Sequence, residues 1–271
     1  MFGRLLATVA AVALISGCTS STPPPEVESE GSPAVGLVGL WRVAGAEGET
    51  ANTWLRLTAG EFQLSRDCGI ISGSWRGAGG LMLASVYGAS GLCASASLPE
   101  VPWLESAEGY APTEGGWELT DAAGSPVAEL IIDGAPDLLP DGAEFFAQPP
   151  EVTDETRAYF ADAVPLPADL AVGSIAGRWL PEGVSVSTGA KVDFAVDGTW
   201  TGSDGCNVSG GRWAAGSGGG FLASSGLSTL MACDGAPVPG WVSQAQLAGL
   251  DGEVLVLLDR GGVELGRLVK A

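Results

Sequence analysis

A frame of tryptophan and cysteine occurs twice in the chain, and it limits the possible folds more than any other feature of the sequence. In the first copy, Trp41 lies 27 residues before Cys68, and Trp75 lies 7 residues after it. The second copy repeats both separations around Cys206, at an offset of 138 residues. Agreement of such rare residue types by chance is improbable. The sequence therefore predicts a tandem duplication of one domain rather than a solenoid, whose repeats are about 20–50 residues long.

The correspondence extends beyond this frame with small insertions. In the middle of each copy the offset rises to 140, which matches Leu81–Met82 with Phe221–Leu222, and it returns to 138 near the ends. The apolar positions in Trp54–Leu57 and Val192–Val196 differ in phase by one residue. We therefore expect a small compensating insertion and deletion between the copies.

The pattern within each copy predicts short antiparallel strands. Lys191–Val196 alternates, with Val192, Phe194 and Val196 expected on one face, and Asp197-Gly198 is typical of a turn. The 42 glycines fit many tight turns. Further strands are predicted at Asn207–Trp213, Phe221–Ser224, Glu253–Leu258 and Val263–Val269. Short helices are predicted at Trp241–Leu247 and at Asp154–Ala163, the second capped by Thr153 and isolated from both domains by flanking prolines.

The N-terminus has the pattern of an export signal. One basic residue, Arg4, precedes the apolar stretch Leu5–Ile15, which is too short to span a bilayer. Ile15-Ser16-Gly17-Cys18 resembles the lipobox of bacterial lipoproteins, which implies that Cys18 is diacylated and becomes the mature N-terminus. The polar, proline-rich segment after it suits a tether. An ordinary secretory signal with a chance cysteine is the alternative interpretation.

The charge of the chain restricts its partners. It has 12 basic and 32 acidic residues, a net charge of −20. Nucleic acid is excluded as a partner because no basic patch is present to neutralise phosphates. Anionic headgroups repel such a chain, so the acyl chains must hold it at the membrane. We therefore expect a cell-membrane protein on the extracytoplasmic face.

The second copy contains, in order, the motifs Gly177-Arg178-Trp179, Val192-Asp193-Phe194, Asp197-Gly198, Gly205-Cys206-Asn207, Gly211-Arg212-Trp213 and Ser228–Cys233. With these motifs, residues 175–271 resemble the META domain, also called the HslJ-like family. The first copy departs from the pattern, with Asp67-Cys68-Gly69 and Ala89–Cys93 at the two cysteine motifs. The resemblance implies a small, mainly β, barrel-like fold with a short helix, found in bacterial envelope lipoproteins, and it transfers no catalytic residue.

Four cysteines remain after Cys18, and an even number in an exported chain suggests disulfides. Three connectivities are possible. The duplication selects Cys68–Cys93 and Cys206–Cys233, because each domain had to be stable alone. A metal site is the alternative, but the chain has no histidine and no C-x-x-C spacing. We therefore expect no metal and no cofactor.

The absence of histidine excludes Ser-His-Asp and Cys-His catalysis. Paired carboxylates remain as an acid and base, and the candidates in the second domain are Asp193, Asp197, Asp204 and Asp234. Turn formation beside glycine explains most of them equally well. Calcium between the acidic loops of 197–204 is a further alternative, although the EF-hand spacing is missing.

Nine tryptophans suggest either core packing or ligand binding. Those that recur in both copies suit a barrel core. Trp54 and Trp117 are not repeated, so they are the better candidates for an exposed binding platform.

These observations predict a mainly β protein with two tandem antiparallel barrel-like domains, each with a short helix. The function that we expect is non-enzymatic: binding or envelope maintenance by a lipid-anchored protein. A barrel that binds a small ligand or carbohydrate is the first alternative, and a carboxylate hydrolase is the second. The predicted division is a signal peptide at 1–17, a tether at 18–35, a divergent domain at 36–134, a proline-bounded linker at 135–174 and a second domain at 175–271.

Overall fold

The computed structural model describes residues 33–137, 144–185, 188–226, 228–229, 231 and 235–271. The predicted signal peptide, Cys18, Cys233 and Asp234 lie outside these ranges. None of the helices in the described ranges has the length and apolar character needed to cross a membrane.

The first domain is a closed barrel of eight antiparallel strands in sequence order. A short helix, α1 (Pro102–Glu105), lies between the fifth and sixth strands. Its interior is filled by buried apolar side chains, among them Phe62 and Trp75. The strands are β1 (Gly39–Ala44), β2 (Trp54–Leu57), β3 (Glu61–Arg66), β4 (Gly69–Ala78), β5 (Leu81–Ala89), β6 (Gly109–Thr113), β7 (Gly116–Thr120) and β8 (Pro126–Ile131).

The second domain repeats this architecture with eight antiparallel strands. An isolated bridge between Gly220 and Leu247 joins the two outer strands of the sheet. Helix α2 (Asp154–Tyr159) lies between the domains and α3 (Val238–Gln244) lies within the second. The strands are β9 (Gly177–Pro181), β10 (Ala190–Phe194), β11 (Thr199–Asp204), β12 (Val208–Ala215), β13 (Phe221–Ala223), β14 (Leu247–Asp251), β15 (Val254–Leu258) and β16 (Glu264–Lys270). The prediction of a mainly β chain with two antiparallel barrel-like domains is confirmed.

The recurring tryptophans of β1 and β9 occupy the same position in both barrels. Trp41 Nε1 donates to the carbonyl of Leu37 at 2.8 Å, and Trp179 Nε1 donates to that of Ile175 at 2.7 Å. Both rings are almost fully buried. A buried indole needs a partner for its N–H, and in both copies the carbonyl at the equivalent position accepts this hydrogen bond. These two tryptophans belong to the core, as their recurrence predicted.

The register of the strands confirms the compensating insertion and deletion. Trp41 pairs with Leu55, whereas Trp179 pairs with Val192, so the paired residues of β10 lie one position earlier in the frame of their copy than those of β2. The next hairpin is one residue longer in the second copy and restores the offset of 138.

The expected offset of 140 for β5 and β13 is wrong by one residue. Trp75 pairs with Ala84, and Trp213 pairs with Ala223, which gives an offset of 139. The loop before β13 therefore holds one extra residue rather than two.

Two local predictions in the second domain are also wrong. Strand β10 ends at Phe194, and Val196 is 93% exposed because the chain turns there instead of continuing the alternation. The helix ends at Gln244, and Leu247–Asp251 forms a strand that pairs with β15. An apolar run of this kind fits a helix or a buried strand equally well.

The helix between the domains is capped as predicted, but it is not isolated. Thr153 Oγ1 accepts a hydrogen bond from the backbone N–H of Thr156 at 3.2 Å. Immediately after the helix, Phe160 is buried in the core of the first barrel. The prolines therefore bound a segment that packs against a domain rather than a free spacer.

The rest of the linker covers the outside of the second barrel. Leu166 and Leu170 pack against the buried side chains of Leu247, Val256 and Leu258. The chain then pairs with β14, since the N–H groups of residues 171 and 250 each donate to the other's carbonyl at 2.8 Å. The linker contacts both barrels.

Candidate functional site

The two cysteine motifs have a structural role in the described residues. Cys68 and Cys93 form a disulfide with Cα atoms 4.9 Å apart, which confirms this pairing. Cys206 is disulfide-bonded as well. Because Cys233 lies outside the described residues, the pairing of Cys206 with Cys233 stays a prediction.

Asn207, which follows the second cysteine motif, holds a distant loop. Its side chain is buried, with Nδ2 donating to the carbonyl of Met231 at 2.9 Å and Oδ1 accepting from the N–H of Met231 at 2.7 Å. Asp204 accepts hydrogen bonds from the backbone and side chain of Asn207. These bonds lower the pKa of Asp204. The Gly-Cys-Asn motif thus ties β11 to the segment of residue 231.

The first copy makes the equivalent connection without an asparagine. A Cβ atom on Gly69 would lie 2.2 Å from the carbonyl oxygen of Ser90, so only glycine admits this close approach. The N–H of Cys93 instead donates directly to the carbonyl of Cys68 at 3.0 Å. In the first copy a direct backbone contact therefore joins the two cysteine segments.

Three of the four candidate carboxylates of the second domain lie in the described ranges, and each of these three has a local structural partner. Asp193 pairs with Arg178 at 2.6 Å. Asp197 Oδ1 accepts from the hydroxyl and the N–H of Thr199, and these bonds lower its pKa. Within the described ranges, no three acidic or cysteine side chains are grouped so that they could hold a metal ion. Asp193, Asp197 and Asp204 thus have structural partners, and Asp234 lies outside the described residues.

The prediction of Trp54 as an exposed platform is wrong, because only 7% of the residue is exposed. Trp117 is half-buried, with Nε1 donating to the carbonyl of Gly36 at 3.0 Å and its ring edge-on to Tyr110. Burial raises the pKa of Tyr110 to about 12. Trp54 is therefore a core residue, and Trp117 is anchored to the segment before β1 by its hydrogen bond to Gly36.

Equivalent surfaces of the two barrels face each other. Strands β4 and β5 contact β12 and β13. Leu83 and Leu222, which correspond at the offset of 139, are buried in one apolar cluster. Ser85 and Ser224 correspond in the same way, and their hydroxyls lie 3.0 Å apart. The interface therefore has a local two-fold relation in which residues meet their own counterparts.

Two clefts flank this interface and are related by the same two-fold. One has a volume of 380 Å³ and is lined by Glu108; we call it the glutamate cleft. The other has a volume of 440 Å³ and is lined by Arg76 and Arg260; we call it the arginine cleft. The equivalent positions, glutamate cleft first, are Glu108 and Gln246, Ala122 and Arg260, Ala214 and Arg76, and Ala215 and Gly77.

Hydrogen bonds establish these equivalences independently of the sequence offset. The N–H of Glu108 donates to the carbonyl of Thr120, and the N–H of Gln246 donates to that of Leu258. The turns that carry Ala122 and Arg260 are each closed by an aspartate Oδ1 that accepts two backbone N–H groups. The two clefts thus have equivalent backbone structure at these positions but carry different side chains.

In the glutamate cleft, the charge of Glu108 is balanced by an arginine of the protein. Glu108 forms an ion pair with Arg212 across the interface, and both side chains are mostly buried. Trp213 reaches this cleft, but its Nε1 donates to Ala195 and its ring packs against Phe194. Glu108 is therefore neutralised by the protein itself, and the second acid of this cleft, Asp197, accepts two hydrogen bonds from Thr199.

The arginine cleft has no such pairing in the described part of the chain. Arg76 Nη1 donates to the carbonyls of Ala223, at 2.9 Å, and Ser243. Arg260 Nη1 donates to the carbonyls of Ala158 and Tyr159 at the end of α2. Burial lowers the pKa of Arg76, yet the group stays cationic because an arginine pKa lies far above neutral pH.

Helix α2 covers the arginine cleft and has no counterpart at the other. It contributes Glu155, Ala158 and Tyr159 to the lining. On the opposite wall, Gln246 Oε1 is buried with no hydrogen-bond partner among the described residues. A buried acceptor of this kind costs free energy unless a ligand or water satisfies it. Sequence reasoning missed this site, because its residues come from both barrels and the linker.

No family model, curated protein or solved structure matches the chain.

Proposed function

We propose that the protein is a lipid-anchored, extracytoplasmic binding protein whose ligand site is the arginine cleft, and that it is not an enzyme. The observation that carries this proposal is the contrast between the filled barrels and the open cleft between them. A volume of 440 Å³ lies in the range of small-molecule sites, about 300–1,000 Å³.

The membrane anchor rests on the lipobox-like sequence at Cys18 and the tether that follows it. Where the described chain begins, Ala34 and Leu37 are fully buried in the core of the first barrel. The tether is thus joined directly to a folded domain. This arrangement suits a barrel pair held close to a membrane by acyl chains.

Membership of the META family is likewise a proposal. It is supported by the use of Gly205-Cys206-Asn207 to hold the loop at Met231, which gives the motif a physical reason. It is also supported by the conserved role of Trp179 and Trp41 in two successive copies.

The alternatives have less support. A ligand between tryptophans inside a barrel needs free volume, but the first interior is filled by side chains such as Phe62, Trp75 and Phe160. A hydrolase needs two carboxyl groups in one cleft. Glu108 and Asp197 both line the glutamate cleft, but Glu108 is paired with Arg212 and Asp197 accepts two hydrogen bonds from Thr199.

Lipidation is tested by expressing the full chain in a bacterium that is fed an alkyne-labelled fatty acid. We expect the wild type to carry the label and to fractionate with membranes, and Cys18→Ala to lose both properties. A Cys18→Ala protein that still fractionates with membranes would refute the anchor.

Binding in the cleft is tested by native mass spectrometry of the acyl-free mature chain after incubation with an envelope extract. Ala158→Trp places a large side chain in the arginine cleft from an exposed helix position. Ala122→Trp makes the same change in the glutamate cleft and is the matched control. We expect Ala158→Trp alone to lose the bound small molecule. Equal retention by both variants would contradict the proposed site.

A further inference from the structure

We propose that the arginine cleft binds a small ligand through an oxyanion group, a carboxylate or a phosphate, held by Arg76 and Arg260. This proposal rests on the proposed function, in that it names the ligand class of the same cleft. Comparing equivalent positions in the arginine cleft and the glutamate cleft identifies the side chains that would bind the anion.

The comparison shows a change of charge in one direction. Where the glutamate cleft has Glu108, Ala122 and Ala214, the arginine cleft has Gln246, Arg260 and Arg76. One acid is lost and two bases are gained on an equivalent backbone. In a chain with 32 acidic and 12 basic residues, this concentration of positive charge runs against the composition of the whole protein.

Several other arginines of the described chain have a carboxylate partner, whereas Arg56 is held by the carbonyl of Gln148 and the side-chain oxygen of Gln63. Arg42, Arg66 and Arg212 pair with Asp133, Glu49 and Glu108. Arg76 and Arg260 have no carboxylate within salt-bridge distance among the described residues. A partly buried cation without a counter-charge is costly, and an anionic ligand removes that cost.

The hydrogen bonds that hold Arg76 and Arg260 in place use only part of each guanidinium group. Each of the two guanidinium groups donates to backbone carbonyls through Nη1 only. Nε and Nη2 of both groups have no protein acceptor in the described ranges. These nitrogens form the planar fork that matches a carboxylate or phosphate, so Nη1 fixes each group and the fork is left for a ligand.

The remaining lining limits the ligand's body. Gly77, Ala158, Leu222 and the ring of Tyr159 supply apolar surface, and 440 Å³ admits only a small molecule. Glu155 also lines the cleft from the exposed side of α2. Its carboxylate repels an incoming anion and weakens its binding, so its removal gives the test a variant of opposite sign.

The test uses the mature full chain carrying Cys18→Ala, with inorganic phosphate and butyrate as anionic probes and butylammonium as the cationic control. Isothermal titration and amide chemical shifts measure binding. We expect one anionic probe to saturate the site with a Kd of about 1 mM or lower, and butylammonium to give no saturation. Tighter phosphate binding identifies a phosphorylated ligand, and tighter butyrate binding identifies a carboxylate.

Variants assign the binding to the cleft. Arg260→Gln should weaken the anionic probe by about tenfold to a hundredfold, the range for a hydrogen bond to a charged group. Glu155→Gln should tighten it. Arg178→Gln, which removes an arginine that pairs with Asp193 on the surface, should leave it unchanged.

A triple variant, Arg76→Ala with Gln246→Glu and Arg260→Ala, copies the glutamate cleft and should abolish binding. The absence of saturable binding by either anion overturns the oxyanion proposal, as does binding that Arg260→Gln leaves unchanged. If the anions fail while Ala158→Trp still prevents retention of the envelope compound, the oxyanion proposal falls and the proposed function stands. If Ala158→Trp has no effect, the proposed function falls.

Discussion

Phe160 stacks on Trp75, with ring centroids 4.9 Å apart and planes inclined by 29°. Trp75 belongs to β4 of the first barrel, whereas Phe160 follows the helix between the two domains. Both residues are at most 2% exposed. The segment that joins the domains is therefore part of the core of the first one, and it holds α2 over the arginine cleft.

Phe160→Ala should destabilise the first barrel by about 3–5 kcal/mol, because it removes a buried aromatic side chain and leaves a cavity beside Trp75. Urea unfolding followed by tryptophan fluorescence measures the change. Phe145→Ala is the control, since that ring is half exposed and packs over Arg56, and it should cost no more than about 1 kcal/mol. Equal effects would show that Phe160 is not a core residue.

A fragment of residues 161–271 should be more stable than a fragment of residues 175–271. The longer fragment retains Leu166 and Leu170, which cover apolar side chains on β14 and β15. Thermal unfolding of both fragments, followed by circular dichroism, measures the difference. Leu166→Ala with Leu170→Ala should remove the gain. A shorter fragment that melts at the same temperature would contradict the role of the linker as a cover.

The disulfides are expected within domains, and trypsin offers a clean test because Arg66, Arg76, Arg157, Arg212 and Arg260 place each of the four cysteines in its own peptide. Non-reducing peptide mapping should join the Cys68 peptide to that of Cys93, and the Cys206 peptide to that of Cys233. Any peptide that joins the two domains would overturn the pairing.

Loss of the first disulfide should also lower stability. It closes a loop of 25 residues, and Cys68→Ser with Cys93→Ser should cost about 2–5 kcal/mol of unfolding free energy. Chemical unfolding at equilibrium measures this cost. A double variant as stable as the wild type would show that the bond has no structural role.

The ion pair between Glu108 and Arg212 should couple the two barrels. Both side chains are at most one quarter exposed, so a double-mutant cycle with Glu108→Gln and Arg212→Gln should give a coupling of about 1–3 kcal/mol. The pair of Arg178 and Asp193 is more exposed and should give less than about 1 kcal/mol. Similar values for both cycles would argue against an interdomain role.

Asp204 should contribute to resistance against acid. Its pKa is lowered by hydrogen bonds from Asn207, so its stabilisation is complete above the unfolded-state value of about 4 and is lost as pH falls through the native value. Asp204→Asn should therefore lower the melting temperature at pH 7, and the difference should shrink as the pH falls below about 4. Asp169→Asn, which changes an exposed carboxylate, should have no effect at either pH. A constant difference would contradict the assignment.

The sequence predicted the features that repeat. Rare residues such as Trp41 and Trp179 are buried and hydrogen-bonded in the same way in both copies. Their spacing therefore predicted two barrels and the core positions of these residues. The predictions from sequence were wrong where a residue has no counterpart in the other copy, and where the apolar alternation continues past the end of a strand. Trp54 has no counterpart, but its ring is covered beside Gly134. Val196 continues the alternation of β10 into a turn.

The arginine cleft was beyond sequence reasoning for a different reason. Arg76, Gln246 and Arg260 are separated by up to 184 positions and meet only because one barrel packs against the other. The residue pattern of a single strand does not predict which surface of its domain packs against another domain.

The contact of Ser85 with Ser224 has a consequence for the origin of the chain. A surface on which each residue meets its own counterpart is the signature of a symmetric homodimer. A single-barrel ancestor that paired through this face would have had two identical clefts with no freedom to differ. In one polypeptide the two clefts are free to differ, and here Arg76 and Arg260 stand in one cleft where Ala214 and Ala122 stand in the other.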